Sequence, residues 1–260
     1  MIFVILNIVL LGVLLAVLYL QHHKIARVDR ATWDLPKMLD EKINLAELRL
    51  YRQLEALTAL NALIRPVLPL PPLRVWAGSP DFLLQLARRI LIRRPVVIVE
   101  CSSGASTVVA ARCCQLNGSG HVYALEHEQV FAEATGEYLR EQGLDDWATV
   151  IVAPLEAIEL SGIEYAWYAL RALPDQPIDL LVVDGPPSSL GPLARYPAGP
   201  KLLPRLSRSA AVLVDDADRP DEQQMVRLWQ EEFPALEVHH VTAEKGLVIL
   251  EQTEAVLIKG

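Results

Sequence analysis

Three kinds of feature are scarce in this chain, and each scarcity excludes something. Cysteine is rare: Cys101, Cys113 and Cys114 are the three in 260 residues. Their number is odd and all lie in apolar segments, which excludes a disulfide framework and predicts reduced, buried thiols. Adjacent Cys113 and Cys114 lack metal-site spacing, so both read as helix packing. Basic clusters are missing beyond local pairs such as Arg88–Arg89 and Arg93–Arg94, and the formal net charge is −8. With no positive stripe to neutralise phosphates, no nucleic-acid partner is expected. Charge is absent altogether from Ile2 to Leu20, where Asn7 is the one polar side chain.

As a helix that run spans about 28 Å at about 1.5 Å per residue, close to a bilayer's hydrocarbon core. It predicts a retained transmembrane anchor over residues 1–22. A cleaved signal peptide wants a basic start, a shorter apolar core and small residues at the cleavage site. Tyr19-Leu20-Gln21-His22-His23 is bulky instead, and no Lys or Arg precedes the run. A buried soluble helix is the bland alternative. Lys24, Arg27 and Arg30 follow the run, so the positive-inside bias predicts a single-pass membrane protein with its folded part in the cytoplasm.

Residues 23–72 read as a juxtamembrane segment and 73–260 as the main domain. Leu45, Leu48, Leu54, Leu57, Leu60 and Ile64 recur at three- and four-residue steps, predicting a helix over 38–65. Packing on the main domain is its plain use; a coiled-coil homodimer is the sharper one. Pro66, Pro69, Pro71 and Pro72 make a stiff linker. Ser79-Pro80-Asp81 then signals a helix start, running to about Ile92.

From Pro95 onward apolar runs alternate with amphipathic segments. Strands are expected at 95–100, 121–125, 148–153, 178–183, 210–214, 236–242 and 246–251. Helices are expected at 105–116, 128–142, 199–207 and 220–233. The alternation predicts an α/β domain: a doubly wound, mostly parallel seven-stranded sheet ending in a C-terminal antiparallel hairpin.

In such sheets ligands collect at the carboxyl ends of the strands. The first strand delivers Glu100 and the turn Cys101-Ser102-Ser103-Gly104, followed by a helix N-terminus. The second delivers Glu126-His127-Glu128, the fourth Asp184-Gly185-Pro186-Pro187, the fifth Asp215-Asp216-Ala217-Asp218. A core-facing strand end has no packing use for a carboxylate, so acids at four ends point to a site. Strand, tight turn and helix N-terminus suit a nucleotide-like ligand, and an acid placed like Glu126 accepts hydrogen bonds from ribose hydroxyls.

Over roughly residues 75–252 the sequence resembles the class I S-adenosylmethionine-dependent methyltransferases. Their first motif in the most similar bacterial members, Glu-x-Gly-Ser-Gly-x-Ser-Thr, stands here as Glu100-Cys101-Ser102-Ser103-Gly104-Ala105-Ser106-Thr107. The resemblance implies a Rossmann-like methyltransferase fold with S-adenosylmethionine as cofactor. It implies cofactor contacts from Glu100, Ser102, Ser103, Gly104, Ser106, Glu126 and His127, with Ser106 on the carboxylate of the methionine part. Ser102 replaces the usual first glycine; the serine fits if its φ stays negative. A narrower resemblance, to catechol-type cation-dependent O-methyltransferases, implies Mg²⁺ on Asp184, Asp215 and Asp216. That subgroup's basic residue after the first Asp is replaced by Gly185-Pro186-Pro187. The alternative leaves Asp184 lining the cofactor pocket and uses Asp215 and Asp216 as helix caps.

The expected activity is methyl transfer to an oxygen or nitrogen acceptor, small or lipid-linked, at the cytoplasmic membrane face, with Asp184 removing the acceptor's proton. Arg195 and Tyr196, in the long loop Pro186–Lys201, are expected to hold the acceptor. Trp167 and Tyr168 are candidates for the acceptor wall. Two other classes stay open: a metal-dependent glycosyltransferase-like enzyme using Asp216-Ala217-Asp218, and an inactive membrane-tethered scaffold.

Overall fold

A computed structural model describes residues 1–73 and 77–252. The predicted domain's last eight positions, 253–260, lie outside the described residues. The chain divides into two compact units, Met1–Tyr51 and Arg52–Gly260.

A single helix, α1, is assigned over Ile2–Ile64, with Pro36 inside it. It contains both the apolar run 2–20 and nearly all of the helix expected over 38–65. By length and composition α1 is long and apolar enough to cross a membrane. In the first unit Leu45 and Leu48 are exposed.

Within the second unit the end of α1 is a packing element. Ala56, Leu60 and Ile64 are buried against Phe82, Leu83 and Leu86 of α2, Pro80–Arg93. Burying Leu60 and Ile64 is worth about 1.5–3 kcal/mol each. Ser79 is the N-cap of α2 and Pro80 its first residue, as the sequence signals. Asp81 clamps the start: its Oδ1 accepts from the Phe82 amide, and its Oδ2 accepts from Gln53 Nε2 and the Glu244 amide.

The main sheet is built from β1 (Val97–Cys101), β2 (His121–Glu126), β3 (Ala148–Val152), β6 (Ile178–Val183), β7 (Leu206–Asp215), β8 (Leu236–Val241) and β9 (Leu247–Gln252). Its order is β3-β2-β1-β6-β7-β9-β8. The first five strands are parallel, and β9 runs antiparallel between β7 and β8. All seven expected strands are present.

Successive strand residues enter opposite cores, as a period of two requires. On one face Ile98, Leu180, Val182, Leu213 and Ile249 meet α2, α3 (Ala105–Asn117) and α4 (Gln129–Glu141). On the other, Val99, Cys101, Leu181, Val183, Val212 and Val214 meet α6 (Pro220–Glu232) through Met225, Val226 and Trp229. Covering both faces explains why the central stretches Val97–Val99, Leu180–Val183 and Ala210–Val214 read as unbroken apolar runs. The cysteines are free and buried, and burial pushes the Cys113 and Cys114 thiols up to about 12.

Two expectations are corrected. The helix placed at 199–207 is only α5, Ala198–Leu202, followed by a short 3-10 turn; Leu206 and Ser207 already belong to β7. Gly199 lies so close to Trp229 that a Cβ there would overlap the indole ring. The second correction is a separate hairpin in the insertion before the fourth parallel strand. It joins β4 (Leu155–Leu160) to β5 (Ile163–Tyr168) through Ser161-Gly162, both at positive φ. It carries Trp167 and Tyr168 into the second core.

Candidate active site

The β1–α3 turn is tied to both neighbouring strands. The Ser102 amide donates to the Leu125 carbonyl at 2.9 Å, and the Asp184 amide to the Cys101 carbonyl at 3.3 Å. The ends of β1, β2 and β6 therefore form one edge.

Glu100 lies under this turn and is fully buried. Its Oε2 accepts from Thr107 Oγ1 at 2.7 Å, and that hydroxyl accepts from the Gly104 amide at 3.0 Å. Burial raises the Glu100 carboxyl from 4.5 to about 7, against the opposing pull of the Ser106 and Thr107 hydroxyls. Glu100, Ser106 and Thr107 thus brace the turn from beneath. Thr107 was not singled out as a site residue in the sequence, although it is the last position of the motif.

Glu126 faces the turn from the end of β2. Its Oε2 accepts from the Ser103 amide at 3.2 Å and the Ser103 hydroxyl at 3.1 Å; its Oε1 accepts from the Glu128 amide at 3.0 Å. His127 Nδ1 stands 3.1 Å from Oε1. The Ser103 hydroxyl also meets Thr135 of α4 at 3.1 Å, a partner that sequence spacing did not indicate. At Gly104, with φ +153°, an added Cβ meets nothing within 4 Å, so the turn is open on that side. An acid already oriented by amide and hydroxyl donors, beside an open glycine turn, fits a nucleoside-bearing cofactor.

Ser102 departs from expectation: its φ is +107°. A non-glycine residue held there costs about 1–3 kcal/mol. Glycine gives back about 0.4–1 kcal/mol through the looser unfolded chain. Ser102→Gly is therefore expected to stabilise the domain by about 1 kcal/mol, raising Tm by about 2–4 °C. A Tm that stays level or falls in a thermal melt contradicts the strain.

The ends of β6 and β7 bring Asp184, Asp215 and Asp216 together, with one oxygen of each inside a 4.8 Å group. Arg195 stands among them. Its Nη2 donates to Asp216 Oδ2 at 2.9 Å and Asp184 Oδ1 at 3.3 Å; Nη1 donates to the Asp215 carbonyl and Nε to the Pro186 carbonyl, each at 3.3 Å. Arg219 Nη1 adds a second contact to Asp216 Oδ2 at 2.8 Å. Asp215 is wholly buried, and burial first, Asp216 second, pushes its carboxyl up to about 6. Burial also drives the Asp184 carboxyl well above its ordinary value. The Asp184 side chain is 11% exposed against 3% for Asp216, so it is the partly accessible acid of the pair.

Arg195 and Tyr196 were expected to face an acceptor, and the structure turns both inward. Arg195 is occupied by carboxylates. Tyr196 donates its hydroxyl to Glu232, and its carbonyl accepts from Trp229 Nε1 at 3.0 Å. Asp215 and Asp216 do not cap α6 either, since its N-cap is Arg219. With Asp216 paired to two arginines, Asp216-Ala217-Asp218 is not free to hold a nucleotide sugar's metal. The same pairing gives Mg²⁺ no support: two of its expected ligands already share one guanidinium.

Tyr168 sits where β1 and β6 end. Its hydroxyl has no hydrogen-bond partner among the described residues, and a Cβ on Gly185 would come within 2.5 Å of it.

A family profile described as a methyltransferase domain matches residues 99–217. No curated protein matches the chain. Solved structures do. Cofactor-bound Rv0187 from MTB is 21% identical with a TM-score of 0.51, over 76% of this chain and 88% of that one. The O-methyltransferase TomG from Streptomyces achromogenes, in complex with SAM, is 19% identical with a TM-score of 0.50, over 77% and 89%. SAH-bound PaMTH1 from Podospora anserina is 17% identical with a TM-score of 0.53, over 76% and 88%. At these identities the likeness is one of fold.

Proposed function

We propose that this chain, whose residues 99–217 match a methyltransferase-domain profile, is an S-adenosylmethionine-dependent enzyme that methylates an oxygen or nitrogen acceptor at the cytoplasmic face of a membrane. The observation that carries this reading is Glu126, held at both oxygens beside the open Ser103-Gly104 turn. S-adenosylmethionine supplies a methyl group on a sulfonium sulfur, whose departure leaves a neutral thioether.

The chain's own residues do the rest. Glu126 accepts from the ribose hydroxyls, with His127 beside it. Ser102, Ser103 and Gly104 offer backbone to the methionine part. Glu100, Ser106 and Thr107 keep that backbone in place from below. Asp184 takes the acceptor's proton, and its burial makes it a stronger base than an exposed carboxylate. Tyr168, its unpartnered hydroxyl buried against Gly185, backs the wall of the site behind Asp184. Alignment of acceptor and methyl group supplies the main acceleration.

In this reading residues 2–20 anchor the enzyme, Lys24 and Arg27 keep the domain in the cytoplasm, and exposed Leu45, Leu48 and Leu54 leave the part of 38–65 before Ala56 open to pairing with a second copy. Incubating the full-length protein with membranes and methyl-labelled S-adenosylmethionine tests the acceptor. Label in the organic phase supports a lipid-linked acceptor, and label in soluble compounds a small one. No transferred label contradicts the activity. The protein is expected in the membrane fraction, and in the soluble fraction once residues 1–22 are deleted. Full-length protein that is soluble contradicts the anchor.

A further inference from the structure

We propose that Arg195 is a resident cation standing in the place of a divalent metal at the Asp184–Asp215–Asp216 cluster, so that this site binds no divalent ion and positions Asp184 through a guanidinium. The inference rests on reading this strand edge as the methyl-transfer site.

The cluster has the composition of a hard-cation site: three carboxylates, each with an oxygen inside a 4.8 Å group. A Mg²⁺ ion binds such oxygens at about 2.0–2.1 Å and requires near-octahedral freedom around it. Here two of the six carboxylate oxygens are already taken. Asp184 Oδ1 and Asp216 Oδ2 both accept from Arg195 Nη2, at 3.3 and 2.9 Å. A metal drawing on those two oxygens would sit beside a fixed positive charge in a poorly screened interior.

Arg195 does not behave as a visiting surface side chain. It is only 5% exposed, and the carbonyls of Pro186 and Asp215 fix the guanidinium through Nε and Nη1. Glu222 stands 3.7 Å from Nη1. Arginine suits this post because its planar fork serves several acceptors and stays charged when buried.

The negative charge left over has another outlet than a metal. Both Asp215 oxygens and Asp216 Oδ1 are buried without a hydrogen-bond partner among the described residues. Arg219 Nη1, 2.8 Å from Asp216 Oδ2, sets a second positive charge against the excess. Asp184 is left with one oxygen tied to Arg195 and its carboxyl group partly accessible. That is an oriented base, achieved with a side chain where related chemistry uses an ion.

Mn²⁺ alone is the probe, because its free-ion electron paramagnetic resonance signal falls as it binds. Full-length wild type in detergent is expected to leave that signal unchanged. Arg195→Gln releases the oxygens and is expected to bind one Mn²⁺ at least about tenfold more tightly than wild type. Arg195→Lys keeps the charge and should exclude Mn²⁺ as wild type does. Saturable binding of one Mn²⁺ by wild type, lost in the Asp184→Asn/Asp216→Asn double variant, overturns the proposal. So does a folded Arg195→Gln protein with no gain. If Arg195→Gln fails to fold, the wild-type titration decides alone. The readout needs neither S-adenosylmethionine nor an acceptor, so its failure is separate from any failure of the methyl-transfer reading.

Discussion

Replacing Glu126 by alanine is expected to weaken S-adenosylmethionine binding by about a hundredfold or more. A hydrogen bond to a charged group is worth about 1.5–3 kcal/mol. Losing two, one for each ribose hydroxyl, costs about 3–6 kcal/mol, or about two to four decades of affinity. The carboxylate is already oriented by the Ser103 and Glu128 amides, so little ordering is left to do at binding. Those contacts also mean that alanine loosens the turn. Glu126→Gln separates the two effects, since it keeps the volume and one acceptor oxygen but loses the charge. It is expected to melt within a few degrees of wild type and still bind at least about tenfold more weakly, because charge-assisted hydrogen bonds are roughly twice as strong as neutral ones. Calorimetric titration with thermal melts reads both quantities. An alanine variant that binds as tightly as wild type removes Glu126 from the ribose.

Asp184→Asn is expected to act on rate instead. General base catalysis by a positioned side chain contributes about 10²–10⁴-fold. The variant should lose kcat by that order while S-adenosylmethionine affinity stays within a few-fold, read as S-adenosylhomocysteine released with any acceptor that wild type uses. The pH profile carries a sign. Burial raises the Asp184 carboxyl well above its ordinary value, followed in size by the charge of Asp215. The base is therefore protonated at low pH, and the wild-type rate climbs as pH rises through the raised pKa. Asp184→Asn should lack that rising limb. A variant that retains both the rate and the limb assigns the proton to another group.

The parts of this molecule legible in the sequence are those written as local patterns. The central strands hold the unbroken apolar runs Val97–Val99, Leu180–Val183 and Ala210–Val214 because both of their faces are covered, and acids follow these runs. Glu100, Glu126, Asp184 and Asp215 could thus be placed at one edge before any coordinates. The β4–β5 hairpin was missed even though Ser161-Gly162 sits between two short alternating runs, a recognisable turn signal. Trp167 and Tyr168 in its second strand stand out in the sequence as an acceptor wall and not as alternate positions of a strand. Arg195 was misjudged for a different reason. Its partners Asp184, Asp216 and Glu222 lie 11 to 27 positions away, on separate elements, and nothing local says that the loop folds inward. Ser102 was visible as an anomaly, but its sign was not: only the backbone shows φ at +107°.

The central claim is that Glu126 and the Ser102-Ser103-Gly104 turn form an S-adenosylmethionine site. Calorimetric titration of the full-length protein with S-adenosylmethionine tests it most directly, with UDP-sugars and NAD as alternatives. Saturable binding of one S-adenosylmethionine per chain, indifferent to Mg²⁺ and absent for the other ligands, is the predicted result. No binding of any of the three, or Mg²⁺-dependent binding of a UDP-sugar, would contradict it.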